Sequence, residues 1–374
     1  MGLFFNKVNY LGIDIGTSSI KVVELANFNG RPRLVTYGFT ERKLTEERDV
    51  SDLISNESEV VAIVNDICKK SRTTTKKVIA SLPNFSVFTS ILTLPQMPKK
   101  DLESAIEWEA KNIIPIPLEN VNLDWTVIKE SEEERQEASL DKRAEIIGQE
   151  NKPFHTINAK NKNNIRVMVT GANKDLVAKY MGIFHKTGLN LISLETENSA
   201  LIRSMIGADL SSVMILDLGA STSSIAVVDK GIPVLSRTID VGGLAITRSV
   251  AVSLNVGLDR AEQFKQDLFL GGEELESPLP ALVEKSFAPI MQEIKYALNL
   301  FEEQQGKKVE KIILTGGSAM LGNLASHLSK SLSINCYLGD PWSNVIYPTE
   351  LKPILDRLGP KFAVAIGLAM REIE

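Results

Sequence analysis

The sequence predicts an α/β fold of two related lobes, each a hairpin-fed sheet backed by helices, with a small α+β insert subdomain. Three observations carry the prediction. The segment Gly12-Ile-Asp-Ile-Gly-Thr-Ser-Ser-Ile-Lys-Val-Val-Glu24 recurs in the second half of the chain as Leu216-Asp-Leu-Gly-Ala-Ser-Thr-Ser-Ser-Ile-Ala-Val-Val-Asp229, the self-similarity expected of a duplicated architecture. Behind each copy, strand-like runs give way to helix-like ones, so each half builds a sheet with helices on it. Between the copies, a stretch with its own periodicity breaks the symmetry.

The first lobe is expected over residues 1–76 and again over 172–212. Its repeat copy reads strand, tight turn, strand, and Arg33 to Phe39 form a further strand behind the turn signal Asn29-Gly-Arg-Pro32. A helix follows in which Val60, Val61, Ile63, Val64 and Ile67 recur at helical spacing. The insert is expected over 77–171. It reads strand, strand, helix, strand from Lys77 to Ile128, and Val121, Leu123, Trp125 and Val127 alternate with polar neighbours, as in a sheet covered on one face. From Lys129 to Asn164 the chain turns strongly polar, with Glu130-Ser-Glu-Glu-Glu-Arg135 and Asn158-Ala-Lys-Asn-Lys-Asn-Asn164, and reads as a flexible surface loop.

The second lobe is expected over 213–355. Asp217 precedes Ile225 by eight residues where Asp14 precedes Ile20 by six, which predicts a longer turn, by two residues, in the second copy. Ile232 to Thr238 form a strand behind Asp229-Lys-Gly231, and helices follow over Gly243 to Leu254 and Asp259 to Leu270. Lys311-Ile-Ile-Leu-Thr-Gly-Gly-Ser-Ala319 is a buried-type strand running into two glycines, with a helix from about Met320. Residues 356–374 form a C-terminal connecting helix.

Composition removes several classes of function. In 374 residues, 42 basic side chains face 47 acidic ones for a formal charge of −5, which argues against a nucleic-acid binder dominated by phosphate contacts. Cys68 and Cys336 belong to no CxxC or Cys/His cluster, so neither a metal framework nor a disulfide scaffold is expected, and both read as buried small hydrophobes. The longest apolar stretch, Phe362 to Met370, is half the ~18 residues of a membrane-spanning helix. Met1 to Lys7 have no signal-peptide pattern. A reducing, cytoplasmic setting without direct membrane insertion is expected.

The chemistry suggested by the repeat is anion binding. Asp14 and Asp217 each end an apolar strand just before a turn rich in glycine, serine and threonine, where small residues let backbone N–H groups approach an anion. Two such turns facing each other would hold a polyphosphate. The carboxylates of Asp14 and Asp217 could hold Mg2+, which keeps most of its waters and bridges phosphates. Gly316-Gly317 would give a flat backbone platform for a nucleoside. Gly242-Gly243, opening a helix, would offer free N–H groups to the nucleotide.

This order of segments resembles the actin-like ATPase superfamily, with its duplicated ribonuclease H-like lobes. Phosphate 1, connect 1, phosphate 2, adenosine and connect 2 would fall on Gly12 to Lys21, Glu195 to Arg203, Ile215 to Ser223, Leu314 to Ala319 and Phe362 to Leu368. Within it, the chain resembles the type IV pilus assembly proteins of the PilM family. The most telling segment is Ser90-Ile-Leu-Thr-Leu-Pro-Gln-Met-Pro-Lys-Lys-Asp-Leu-Glu-Ser-Ala-Ile-Glu-Trp-Glu-Ala-Lys-Asn-Ile-Ile-Pro-Ile-Pro117, which is similar to the PilM insert in order and spacing.

That resemblance implies ATP and Mg2+ as ligands. Asp14 and Asp217 would sit by the metal and its waters, and Gly16, Thr17, Ser18, Gly219, Ser221 and Thr222 would line the phosphates, with Lys21 reaching an oxygen. Glu195 would orient the attacking water; Glu197 lies in the same neighbourhood, and Glu195 is preferred because it ends the strand. Gly242 and Gly243 would face the nucleotide, Glu262 and Lys265 the ribose and base, and Gly316, Gly317 and Ser318 the adenine. Hydrolysis would be weak, with ATP setting the closure of two lobes. The three scattered histidines support no triad chemistry.

The resemblance further implies partners: the cytoplasmic N-terminal tail of a PilN-type inner-membrane protein, bound as an extended peptide in a groove between the first lobe and the insert, other pilus assembly components, and self-association. Such a protein would lie at the inner face of the cell membrane through its partner. Two alternatives are weighed. A filament-forming division protein of the FtsA type would carry an amphipathic C-terminal helix after a linker, whereas Arg371-Glu-Ile-Glu374 follows connect 2 directly. A sugar or acid kinase would need a second substrate pocket with a carboxylate base.

Overall fold

The structure, a computed structural model, describes residues 8–41, 53–128, 164–270 and 281–373. β-branched, apolar runs form β1 (Asn9–Ile15) and β2 (Ser19–Phe28), and β3 (Arg31–Glu41) continues the meander. The turn into β3 has Asn29 and Gly30 both at positive φ, 53° and 78°, the hairpin geometry that an Asn-Gly pair favours. Helix α1 (Glu57–Ser71) is capped by Asn56, whose side chain accepts from the Glu59 N–H, and it buries Val60, Val64 and Ile67. The chain continues through β4 (Lys77–Leu82), β5 (Val87–Pro95), α2 (Lys99–Ile113), β6 (Val121–Ile128), β7 (Asn164–Asn173), α3 (Lys174–Thr187), β8 (Asn190–Thr196) and α4 (Glu197–Met205). The second lobe follows as β9 (Val213–Leu218), β10 (Ser223–Asp229), β11 (Ile232–Ile239), α5 (Gly243–Leu254), α6 (Leu258–Leu270), α7 (Ala281–Gln305), β12 (Lys311–Thr315), α8 (Leu324–Leu332), β13 (Asn335–Leu338) and α9 (Lys352–Met370).

The duplication is carried in the backbone. One sheet has the order β3-β2-β1-β4-β8 and the other β11-β10-β9-β12-β13, with antiparallel pairs in the meander and parallel pairs beyond it in both. Each second hairpin shifts register at the same place. The irregularity falls between Glu24 and Leu25 in one lobe and between Val227 and Val228 in the other, ten residues beyond Asp14 and Asp217 respectively. The expected two-residue difference in turn length is corrected: Ile15 pairs with Ile20 and Leu218 with Ser223, so both turns span four positions. Matching Ile20 to Ile225 by residue type misled the count, because strand pairing aligns Ile20 with Ser223.

Two element boundaries also differ from expectation. Lys77–Leu82 does not open the insert; it pairs in parallel with β1 and β8 inside the first sheet. The contiguous compact unit distinct from the lobes is Ser86–Val177. Within it, β5, β7 and β6 form an antiparallel sheet. Leu102 and Ile106 of α2 pack with Leu92, Leu94, Val167 and Val169 of that sheet in one core. The helix expected from Met320 begins at Leu324 instead, after a short 3-10 turn over Gly317–Met320, because Asn323 takes a left-handed conformation at its start. The polar segment from Lys129 lies outside the described residues up to 163.

The apolar run Phe362 to Met370 is buried throughout α9. It packs on β1, β2, β4, α4 and β12, joining Ile79, Ala200, Leu201, Val213 and Ile313 in one core between the lobes. Each fully buried large aliphatic side chain there contributes about 1.5–3 kcal/mol. Gly367 permits the closest crossing: a Cβ there would collide with the Ala200 carbonyl of α4. Cys68 and Cys336 are free and only half-buried, less enclosed than their composition suggested. Among the described residues, no helix is long and apolar enough to cross a membrane.

Candidate functional site

Strand register places the site's acids. Asp14 pairs with Lys21 across the β1–β2 hairpin, so both side chains stand on one face, and Lys21 Nζ lies 2.9 Å from Asp14 Oδ2. The matching pair in the second hairpin is Asp217 and Ser224. These faces open on one cavity of about 960 Å³, lined among others by Asp14, Lys21, Glu197 and Asp217. Its size suits a nucleotide.

The electrostatics are those of crowded, buried acids. Burial first, and then the Asp14 charge, pushes the Asp217 carboxyl up to about 6 against the pull of Lys21. Burial, with Asp14 and Asp217 adding repulsion, pushes Glu197 up to about 8 even though the Asn84 N–H and Lys21 oppose the shift. Burial works to lower the Lys21 ammonium, but the carboxylates of Asp14, Asp217 and Glu197 prevail and raise it.

The two turns face one cavity. Gly16, Thr17, Ser18, Gly219 and Thr222 line the cavity. Ser221 is in the second turn but not on the cavity wall; its Oγ is buried and has no hydrogen-bond partner among the described residues. Gly316, Gly317 and Ser318 also line the cavity. Gly316 has a φ of 86°, and a Cβ there would strike Asp217 Oδ1, so this position needs glycine twice over.

Two expectations are revised by the geometry. The N–H groups of Gly243 and Leu244 are not free for a nucleotide: they donate to the carbonyls of Gly219 and Ala220, at 2.9 Å each. The first turn of α5 thus satisfies its orphan donors on the second phosphate-type turn and holds it in shape. Gly242 is off the cavity wall, while Gly243 is on it. Glu262 and Lys265 both line the cavity, joined in a 2.7 Å ion pair, and Lys265 Nζ also donates to the Gly243 carbonyl at 3.2 Å and to Thr247 Oγ1 at 2.9 Å. Burial lowers the Lys265 ammonium although Glu262 raises it.

The second revision concerns the carboxylate where β8 passes into α4. Glu195 is clamped by Arg203, whose Nη1 and Nη2 donate to its two oxygens at 2.8 and 3.1 Å, and it is not on the cavity wall. Glu197 is on that wall, two residues further on. The physical reason is a change of period at Thr196: the strand ends and the helix begins there, with the Thr196 side chain accepting the Ser199 N–H, and the helix turns Glu197 inward.

Other wall residues had weak sequence signals. Asn84 follows Pro83 at the end of β4, where only a turn could be read. Ile354, Arg357, Leu358 and Lys361 form one helical stripe of α9 facing the cavity, a spacing legible in principle ahead of the apolar run. Lys361 Nζ reaches Glu41 Oε1 at 2.8 Å, a pairing that no local pattern shows.

The residues fit a nucleotide and its cation. Among the described residues no cluster of three or more His, Cys, Asp or Glu side chains could hold a metal, but magnesium bound with phosphates needs only one or two carboxylates, and Asp14 and Asp217 supply two. The buried Ser221 hydroxyl without a partner is the kind of group that an added acceptor or donor would satisfy.

Two lobes of one topology, with matched Asp-bearing hairpins facing a shared cavity and a connecting helix packed between them, define the actin-like ATPase fold. A family model for the type IV pilus assembly protein PilM matches residues 12–141 and 153–373. A solved PilM-PilN type IV pilus biogenesis complex contains a chain 26% identical to this one, at TM-score 0.75, with 98% of this chain and 99% of that one covered. The ethanolamine utilization protein EutJ from Carboxydothermus hydrogenoformans is similar at 13% identity and TM-score 0.50, over 97% of this chain and 89% of that one, a likeness of fold. The chain belongs to the PilM family of type IV pilus assembly proteins.

Proposed function

We propose that this chain is a cytoplasmic component of the type IV pilus assembly platform that binds Mg2+ and ATP in the cavity between its lobes and grips the cytoplasmic tail of a PilN-type membrane protein. The observation that carries the nucleotide half is the pair of hairpins matched in pairing and turn length, with Asp14 and Asp217 on one cavity. The partner half is supported by family membership and by the likeness to the PilM chain of a PilM-PilN complex. Attachment to the membrane would then come through the partner. Family membership favours neither the division-protein nor the kinase alternative.

In this reading Asp14 and Asp217 hold the cation's water shell, Lys21 and the hydroxyls of Thr17, Ser18 and Thr222 meet phosphate oxygens, and Gly316, Gly317 and Ser318 face the base. Bound magnesium would supply neutralisation of phosphate charge. Glu197, rather than Glu195, orients the water. In slow hydrolysis the water oxygen would bond to the terminal phosphorus while the P–O bond to the bridging oxygen breaks, giving the nucleoside diphosphate and inorganic phosphate, with the water's proton released to solvent. The protein's part is positioning and electrostatics.

Titration calorimetry tests the reading in two steps. ATP with Mg2+ should bind at one site per chain, and Asp217→Asn should remove binding. A synthetic PilN-type tail peptide should then bind the ATP-loaded chain. No heat from ATP at millimolar concentration sinks the nucleotide half, and no heat from the peptide with ATP present sinks the partner half.

A further inference from the structure

Resting on the nucleotide reading above, we infer that Asn84 is a positioning residue of this site, which fixes Glu197 against the second hairpin through bonds to two other elements, α4 and β10. Pro83 follows β4 directly and has no N–H, so the first donor at the bend belongs to Asn84. That N–H donates to Glu197 Oε2 at 2.9 Å. The side chain does the rest. Its Oδ1 accepts the Asn198 N–H at 3.3 Å, completing the start of α4, where Thr196 Oγ1 takes the Ser199 N–H at 3.1 Å. Two of the orphan donors of α4 are therefore satisfied, one locally and one from the end of another strand.

The Asn84 amide also looks the other way. Its Nδ2 donates to Asn198 Oδ1 at 3.0 Å and lies 3.3 Å from Ser224 Oγ on β10. Asn198 Nδ2 in turn donates to Ser236 Oγ on β11 at 2.8 Å. Asn198 and Ser224 are 8% and 7% exposed, so the network is shielded from water, where each bond counts for more and each missing partner costs more. Only a side chain that both donates and accepts can make these bonds. Aspartate at position 84 would keep the cap and lose both donors, and it would add a charge beside Glu197, Asp14 and Asp217.

Asn84 touches Glu197, the helix carrying Glu197, and the hairpin carrying Asp217. Ser224 occupies the position that Lys21 holds in the first hairpin. The first lobe uses that position to place a charge, and the second uses it to receive Asn84.

Steady-state ATP hydrolysis with Mg2+ tests this on the native chain, Asn84→Ala, Asn84→Asp, Glu197→Gln and the double variant Asn84→Ala/Glu197→Gln, each checked for melting temperature and ATP affinity. Asn84→Ala should lower kcat about 10-fold to 100-fold, as misplacement of a reacting geometry does, with KM changed less than about twofold, a loss confined to the transition state. The double variant should be no slower than Glu197→Gln alone, since contacting residues that act together are not additive. Ser224→Ala, which removes one link of the network, should give a smaller loss of the same kind and serves if Asn84→Ala does not fold. Unchanged kcat in a folded variant, multiplicative losses, or ATP binding by the native chain without any hydrolysis overturns the inference and leaves the nucleotide reading standing. Failure of the native chain to bind ATP overturns that reading instead, and the inference with it.

Discussion

The two hairpins, β1–β2 and β9–β10, share pairing sense and turn length, yet they differ in charge at one matched position. In the first, Asp14 faces Lys21 at 2.9 Å; in the second, Asp217 faces Ser224. The duplicated backbone therefore presents two aspartates to one cavity but supplies one ammonium between them. Lys21 serves Asp14 directly and acts on Asp217 and Glu197 only through space. Duplication preserves geometry because the sheet demands it, while charge at the shared face is free to diverge. The result is a site with surplus negative charge, held ready for a cation.

The comparison breaks most severely at Lys21. Lys21→Met should strip the cavity of the cation that Asp14, Asp217 and Glu197 all feel. Removing one partner of a buried ion pair typically costs about 3–5 kcal/mol, and that loss is expected in urea unfolding at pH 8 with a chelator present. Part of it should return at pH 5, where the remaining carboxyls can take up protons. A loss below about 1 kcal/mol at pH 8 would show that the two hairpins do not differ in charge balance as the ion pair indicates.

The second hairpin gives an effect of opposite sign. Asp217 is raised to about 6 and Glu197 to about 8, so between roughly pH 4 and pH 8 the native chain holds more protons than the unfolded one. Stability then falls as pH rises through that window. Asp217→Asn should flatten the part of the decline below about pH 6 and make the ligand-free protein more stable at pH 8 by on the order of 2 kcal/mol. Asp14→Asn, which leaves Lys21 without its close partner, should destabilise. Urea midpoints of the two variants that shift in the same direction would contradict the contrast.

How far the sequence alone reaches follows from the range of each interaction. The repeat was legible because Asp14 and Asp217 sit in short apolar runs beside glycine, and pairing across the four-residue turn puts Lys21 directly opposite Asp14, on the same face. The choice between Glu195 and Glu197 could have been made from the same letters: Thr196 is a helix cap, and an acid just after a cap begins a helix where the dipole favours it. Position 77 looked like the start of an insert because strand follows strand there, and only pairing with β1 reveals its place. Nothing local says that Gly219 and Ala220 consume the amides of Gly243 and Leu244, or that Glu41 meets Lys361. Those contacts join segments far apart in the chain, and residue type at one end does not name the other.

The smallest effect separates the matched serines of the two turns. Ser18 and Ser221 each lie four residues beyond the turn's aspartate, but Ser18 lines the cavity and the Ser221 Oγ is buried without a partner. An unsatisfied buried hydroxyl costs about 1–3 kcal/mol, and some of that is recovered when the oxygen is removed. Ser221→Ala should therefore leave the ligand-free chain as stable as before or more stable by up to about 1 kcal/mol, whereas Ser18→Ala, on a wetted wall, should change stability by less than about 0.5 kcal/mol. With ATP and Mg2+ the order inverts for Ser221: a hydroxyl that finds its partner only when ligand is present contributes to binding, so Ser221→Ala should weaken ATP by about 3-fold to 10-fold, the equivalent of one hydrogen bond of about 1 kcal/mol. Melting curves with and without ATP read both halves in one experiment. A Ser221→Ala protein less stable than the native chain in both conditions would mean that the hydroxyl already has a partner, and that the second turn is complete without a ligand.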